Sequence, residues 1–273
     1  MTTRRDVIVN YVILGFFTIS ALYPIVAIVL VALQDPSQPV TGFAIPSHPE
    51  LHNFVRAWDI GHFSQFLRSS ALVAIAVVAV SSVLSIVAGY AFGTFRFRGD
   101  TALFYLLLLG LIMPYEAVIV PLYFDFRSLG LTDTYWALIL PQIGFSLPFG
   151  IFWMRAFFLS VPRSLIEAAR IDGASTFATL WRVLLPFGWP AVLTMVVITF
   201  MWTWNEFLLP LVMISQESHQ TAPLGLAFFQ YKYTTDIPGV AAASVIIAAP
   251  IMLIYIVLQR HFIRGMLSGA VKG

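Results

Sequence analysis

Few side chains in this sequence can do chemistry, and their spacing narrows what that chemistry is. Two carboxylates fall inside long apolar stretches: Glu116, soon after Pro114, and Glu206, in Trp204-Asn205-Glu206-Phe207. Each lies roughly 10–12 Å from the outer end of its stretch at helical rise. A charge at that depth is costly and faces protein or water. Asn205 and Glu206 are therefore candidates for the polar outer half of a solute path. The competing reading is a charge near the interface that snorkels outward or pairs structurally. Both readings stand for Glu206, and the structural one is preferred for Glu116.

A second group sits in the stretch 160–186, which is polar and unlike a passive connector. Ser164 and Glu167 have capping-box spacing, and Pro162 can alternatively occupy the first helical turn. Leu165, Ala168 and Ala169 give a small apolar face. Gly173 after Asp172 is a helix stop that tolerates the left-handed conformation. Ser175 or Thr176 can cap a second short helix through Phe177, Leu180 and Trp181, leading to Leu185 and Pro186. Two short helices joined by a tight glycine turn make a compact knob, and its alanines permit close docking by a partner. The plainer alternative is a helical hairpin resting on the membrane surface.

Other chemistries are excluded. Lys232 and Lys272 are the chain's lysines, and neither precedes Ser or Thr, so no GxxxxGK[ST] phosphate loop exists. There is no cysteine, hence no disulfide, zinc-thiolate site or thiol nucleophile. His48 and His52 are four apart, but Pro49 between them disfavours a helix at His48, so they read as an ordinary polar loop. Neither HExxH nor GxSxG occurs.

These residues must be positioned by membrane-spanning helices. The 273 residues are 59% hydrophobic and 10% charged, with a mean hydropathy of +0.88. A soluble domain carries about 25% charged residues. A net charge of +2 gives no polyanion-binding surface, so nucleic acid is not an expected partner. Six apolar runs are near the roughly 20 residues a spanning helix needs: 11–33, 70–92, 102–124, 135–154, 184–213 and 240–258. They are continuous rather than alternating, which argues against a β-barrel. The first run is longer than a signal-peptide core and reads as an uncleaved span. The small residues Ser81, Ser85, Gly89 and Gly93 recur every four positions in the second run and predict close helix packing.

With six spans both termini share one side. That side would hold Arg4, Arg5, Arg96, Arg98, Arg155, Arg163, Arg170, Arg182, Arg260, Arg264 and Lys272. The other would hold Arg56, Arg68, Arg127 and Lys232. The positive-inside rule places the termini and the 160–186 loop in the cytoplasm.

The loop carries a recognisable pattern. Glu167-Ala168-Ala169, then Gly173, Val183 and Leu185-Pro186 resembles the EAA loop of ABC importer permeases, with Val183 where that family usually has isoleucine. The string from Glu167 to Ser175 is similar to the sugar-importer branch. Trp204-Asn205-Glu206-Phe207-Leu208-Leu209-Pro210 is similar to the family's fifth-span signature, with Glu where Asp is frequent. The stretch 259–273 is similar to the C-terminus of MalG-type carbohydrate permeases.

The resemblance implies an all-α integral membrane protein over 1–273, a six-helix permease domain of the type I importer (MetI-like) kind with a cytoplasmic coupling loop. It implies a bacterial inner-membrane location. It implies a non-catalytic subunit that binds no cofactor itself, with ATP and Mg on two cytoplasmic ATPase partners. A second permease and an extracytoplasmic solute-binding protein would complete an importer of a sugar-like solute. Glu167, Ala168, Ala169, Asp172, Gly173, Leu185 and Pro186 would form the coupling loop, with the tail 265–273 reaching toward the ATPases. Another polar solute, such as a glycerol-phosphate ester, remains the alternative within the class. An ion-gradient-driven secondary transporter is the rival outside it.

Overall fold

The computed structural model describes residues 4–40, 42–229 and 236–270, with side chains described up to residue 259. Lys232 and Lys272 lie outside the described residues. So do the side chains of Arg260 and Arg264 and those of the 265–273 tail. The described residues are helical or irregular, with no strand among them.

Among the described residues, eleven α-helices follow in chain order: α1 (Arg4–Ala32), α2 (His52–Ile60), α3 (Phe63–Thr94), α4 (Asp100–Leu109), α5 (Tyr115–Ser128), α6 (Trp136–Ser160), α7 (Arg163–Ile171), α8 (Thr176–Ala178), α9 (Leu185–Trp204), α10 (Leu208–Met213) and α11 (Ile237–Ala270). Among the same residues, five stretches are long and apolar enough to cross a membrane: Arg4–Ala32, Phe63–Thr94, Trp136–Ser160, Thr176–Trp204 and Ile237–Gln259.

The third expected span, 102–124, is not one helix. It is broken between α4 and α5 at Gly110–Pro114. Pro114 lacks a backbone donor and disfavours helix at Met113, and the chain re-enters helix only after it. At 10 and 14 residues, neither piece crosses a membrane alone at about 1.5 Å per residue. The fifth expected run, 184–213, is likewise interrupted at 205–207, leaving α9 and the six-residue α10.

The chain forms two compact units. The first comprises Met1–Leu67 and Ala222–Pro250. Its core gathers Ala32, Phe63, Phe66, Phe229, the run Ala241 to Ala243, and Ile247. Asn53 Nδ2 donates to the carbonyls of Ala32 (3.0 Å) and Gln34 (2.8 Å), closing the C-terminal end of α1. Asp236 caps α11, accepting from Gly239 N at 2.9 Å, and pairs with Arg56 at 2.8 Å. Most of α1 is apolar yet uncovered by protein, as a lipid-facing helix must be.

The second unit comprises Arg68–Thr221 and Ile251–Gly273. It has two apolar cores. One joins Ile86 and Tyr90 of α3, Met154 and Phe158 of α6, Leu184 just before α9, and Leu185 and Met195 of α9. The other joins Val73 and Val77 of α3, Ile119 of α5, Leu138 of α6, and Leu209 and Met213 of α10. The small-residue stripe of α3 sets how closely α6 approaches. A Cβ on Gly89 would lie 2.5 Å from Met154 Cβ and 2.9 Å from Arg155 N. Ser85 likewise fills the space that a side chain at Gly150 would need.

Gly89→Ala is therefore expected to destabilise by about 1–3 kcal/mol, because the α6 backbone must move. Gly15→Ala, where nothing lies within 4 Å, is the control that should leave thermal unfolding of the purified protein unchanged.

Candidate functional site

The α7 turn is built as the sequence predicts at its C-terminal end and differently at its start. Asp172 is the C-cap, and Gly173 follows with φ +78°. Gly173 N donates to Arg170 O (3.0 Å) and Ala174 N donates to Ala169 O (2.9 Å). These two bonds are the Schellman arrangement, which satisfies carbonyls the helix leaves open. Ser175 caps the next helix, its hydroxyl accepting from Ala178 N at 3.3 Å. At the start, Pro162 is the N-cap and no side chain caps the helix. Ser164 sits inside α7, two residues past the Pro162 N-cap that sets the entry, so the capping box does not form.

Beyond Ser175 the chain does not break before the fifth span. Residues 176–178 are α-helical, Thr179–Leu184 form a π-helical turn, and α9 continues from Leu185. The wide turn carries Leu180 and Leu184 into the core shared with α3 and α6, where Leu165 and Ile166 of α7 also pack. Side chains of α7 and of three long helices, α3, α6 and α9, thus share one packed core.

The predicted residues divide between the two faces of this knob. Glu167, Ala168, Asp172 and Gly173 are exposed. Ala169 is only 7% exposed and Leu185 5%, and Leu185 packs in the core shared with α3 and α6. Ala169 nevertheless lines, with Gly173 and Phe177, the concavity beside the glycine turn, while Leu165 and Ile166 pack toward the core. Pro186 is exposed in the first turn of α9, where its missing donor costs nothing.

Two residues with no docking role legible in the sequence stand on the outer face. Ile171 is 86% exposed and Phe177 70% exposed, on either side of the glycine turn. Phe177 stands 5.8 Å from Trp181, centroid to centroid, at the rim of an open concavity of about 670 Å³ that Asp172 and Arg182 also line. Large apolar groups so exposed at a turn are the anchors expected of a protein interface. Phe177→Ser should weaken partner docking by about tenfold or more while leaving the fold intact, read by pull-down of the partner and by thermal unfolding.

The intramembrane acids separate in the same way. Glu116 is exposed in the first turn of α5, where its negative charge suits the helix N-terminus. Glu206 is half-buried. Its Oε1 accepts from Leu209 N at 2.9 Å and so caps α10 after the break. Asn205 folds back, its Nδ2 donating to Met201 O at 2.9 Å, and satisfies the end of α9. Both residues therefore have structural work at the break.

Glu206 also faces a cavity of about 290 Å³ with Tyr115, Gln142, Ser146, Trp202 and Thr203. Tyr115 meets Phe145 edge to face at 4.8 Å, and Phe149 meets Trp202 at 4.7 Å. One carboxylate, one amide, hydroxyls and aromatic walls together can hydrogen-bond and stack on a polar ring. Asn205 does not line this cavity. The cavity partners come from α5, α6 and α9. A helical period finds Gln142 and Ser146 on one face of α6, four residues apart, but nothing in the sequence brings α5 and α9 to them.

Comparison with known proteins covers nearly the whole chain. Residues 82–268 match the family model described as binding-protein-dependent transport system inner membrane component. The chain is 31% identical over 264 residues to the arabinooligosaccharides transport system permease protein AraQ of Halalkalibacterium halodurans, covering 95% of this chain and 94% of that one. It is 32% identical over 255 residues to the trehalose transport system permease protein SugB of Mycobacterium tuberculosis, covering 93% of each. In fold it is similar to a chain of a bacterial ABC transporter involved in import of the acidic polysaccharide alginate. There the TM-score is 0.78 at 23% identity, over 96% of this chain and 99% of that one.

Proposed function

The chain belongs to the family of binding-protein-dependent transport inner membrane components, and from that premise we propose that it is the sugar-translocating permease of an ATP-driven importer, coupled to its ATPase through α7 and the Gly173 turn. The permeases for arabinooligosaccharides and trehalose are similar over nearly their full length, which supports a carbohydrate as solute. The observation that carries the coupling role is the two-faced construction of the knob. Leu165 and Ile166 are packed inward, while Glu167, Ile171 and Phe177 stand outward around a fixed turn.

The chain has no phosphate loop, so nucleotide and Mg belong to two cytoplasmic ATPase subunits. A second permease shares the path, and an extracytoplasmic binding protein delivers solute. The arginine-rich side, with both termini and α7, faces the cytoplasm. Glu167 pairs with a basic residue of the ATPase groove, and Ile171 and Phe177 seat against apolar groups there. ATP binds the closed ATPase pair better than the open one, so it shifts the permease between inward-open and outward-open states. The solute passes Tyr115, Gln142, Trp202 and Glu206.

The test is Glu167→Lys in the assembled complex in proteoliposomes. Loss of sugar-stimulated ATP hydrolysis and uptake, with the permease chain still inserted and folded, is the expected result. Unchanged coupling, or a chain that transports by an ion gradient with no ATPase partner, refutes the reading.

A further inference from the structure

On the arginine-rich side of the second unit, a cavity of about 310 Å³ lies between the end of α3, the end of α6 and α7. Four guanidinium groups line it, from Arg96, Arg155, Arg163 and Arg170, against the single carboxylate of Glu167. Among the described residues, none of these arginines makes a salt bridge within 4 Å; the ion pair found there joins Arg56 to Asp236. Arg155 is the innermost of the four. Its guanidinium carbon lies 4.1 Å from the centroid of the Phe104 ring, which holds the plane in place. Its Nε is buried without a hydrogen-bond partner. Four arginines around one carboxylate leave the cavity with an excess of positive charge, which favours an oxyanion there. Arginines near helix C-termini are ordinary, but dipole attraction does not require four to converge on one cavity.

We infer that this cavity is a site for a phosphate group, supplied by the headgroup of an anionic phospholipid of the cytoplasmic leaflet. The planar fork of arginine matches phosphate oxygens in pairs. The remaining wall is apolar, with Phe92, Phe158 and the exposed Leu159 at the ends of spanning helices. That mixture suits a headgroup with its glycerol backbone better than a free anion. Basic pockets at cytoplasmic helix ends take such headgroups as a class. The ligand would bridge α3 and α6 to α7, so lipid composition would tune how firmly the knob is held. The inference rests on the proposed orientation, and its test reads lipid directly rather than transport.

The experiment is native mass spectrometry of the purified, delipidated complex titrated with phosphatidylglycerol or phosphatidylcholine. Wild type should retain phosphatidylglycerol selectively. Arg96→Gln combined with Arg155→Gln should weaken retention about tenfold or more, and Arg155→Lys, which keeps the charge and loses the fork, should be intermediate. Equal retention of the two lipids, or an unchanged double variant that unfolds normally, overturns the site. Displacement of the lipid by inorganic phosphate at millimolar concentration overturns the lipid as its source. Because retention is scored on the permease chain, loss of the ATPase partner would refute the importer reading without altering this result.

Discussion

Gly173→Val should uncouple the transporter, reducing sugar uptake and sugar-stimulated ATP hydrolysis by about tenfold or more. Gly173 has φ +78°. A left-handed backbone costs an ordinary residue about 1–2 kcal/mol, and a β-branched one more. A factor of ten corresponds to about 1.4 kcal/mol. No heavy atom lies within 4 Å of a Cβ built at Gly173, so the effect comes from backbone conformation and not from a clash. The variant would escape strain by opening the turn. Both Schellman bonds, from Gly173 N and Ala174 N, would then break, and Ile171 would move relative to Phe177. Gly173→Asn separates this from general damage, since asparagine tolerates the left-handed region. It should recover most coupling. Equal loss in Val and Asn variants would show that the position contacts its partner through space rather than holding the turn.

The same turn marks what can be read from sequence and what cannot. Its chemistry is local: Asp172, Gly173, Ser175 and their neighbours satisfy one another's backbone, and these residue types within four positions announce it. Ser164 failed as a cap because Pro162, two residues earlier, had already decided where the helix begins. The interruption of the third run was carried by Gly110 and Pro114, but a 20-residue hydropathy stretch averages over them. The run of two alanines does not reveal which one is the more accessible: Ala168 is exposed, whereas Ala169 is nearly buried while still lining the concavity beside the turn. Ile171 and Phe177 look like ordinary apolar residues in sequence, and only their exposure distinguishes them. The cavity around Glu206 was half visible. Its acid stood out because charge is rare in a chain that is 10% charged, whereas Tyr115 and Gln142 are unremarkable until α5 and α6 meet α9.

That cavity carries the second large expectation. Glu206 has two tasks, capping α10 through Oε1 and presenting a carboxylate to the cavity. Substitutions can separate them. Glutamine keeps a carbonyl oxygen able to accept from Leu209 N, so Glu206→Gln should leave thermal unfolding nearly unchanged. It removes the charge from a site with Tyr115, Gln142 and Trp202. A charged acceptor strengthens hydrogen bonds to hydroxyls about twofold over a neutral one. Loss of one such bond should lower uptake at limiting sugar about tenfold, with a smaller change at saturation. Alanine removes both functions. Glu206→Ala should show the transport loss of Gln together with about 0.5–2 kcal/mol of destabilisation from the lost cap. Trp202→Ala, which leaves the cap in place, should impair uptake without that destabilisation if sugar stacks on the aromatic wall. Normal uptake and selectivity in Glu206→Gln and Trp202→Ala, beside a destabilised Glu206→Ala, would reduce Glu206 to a helix cap and move the solute path elsewhere.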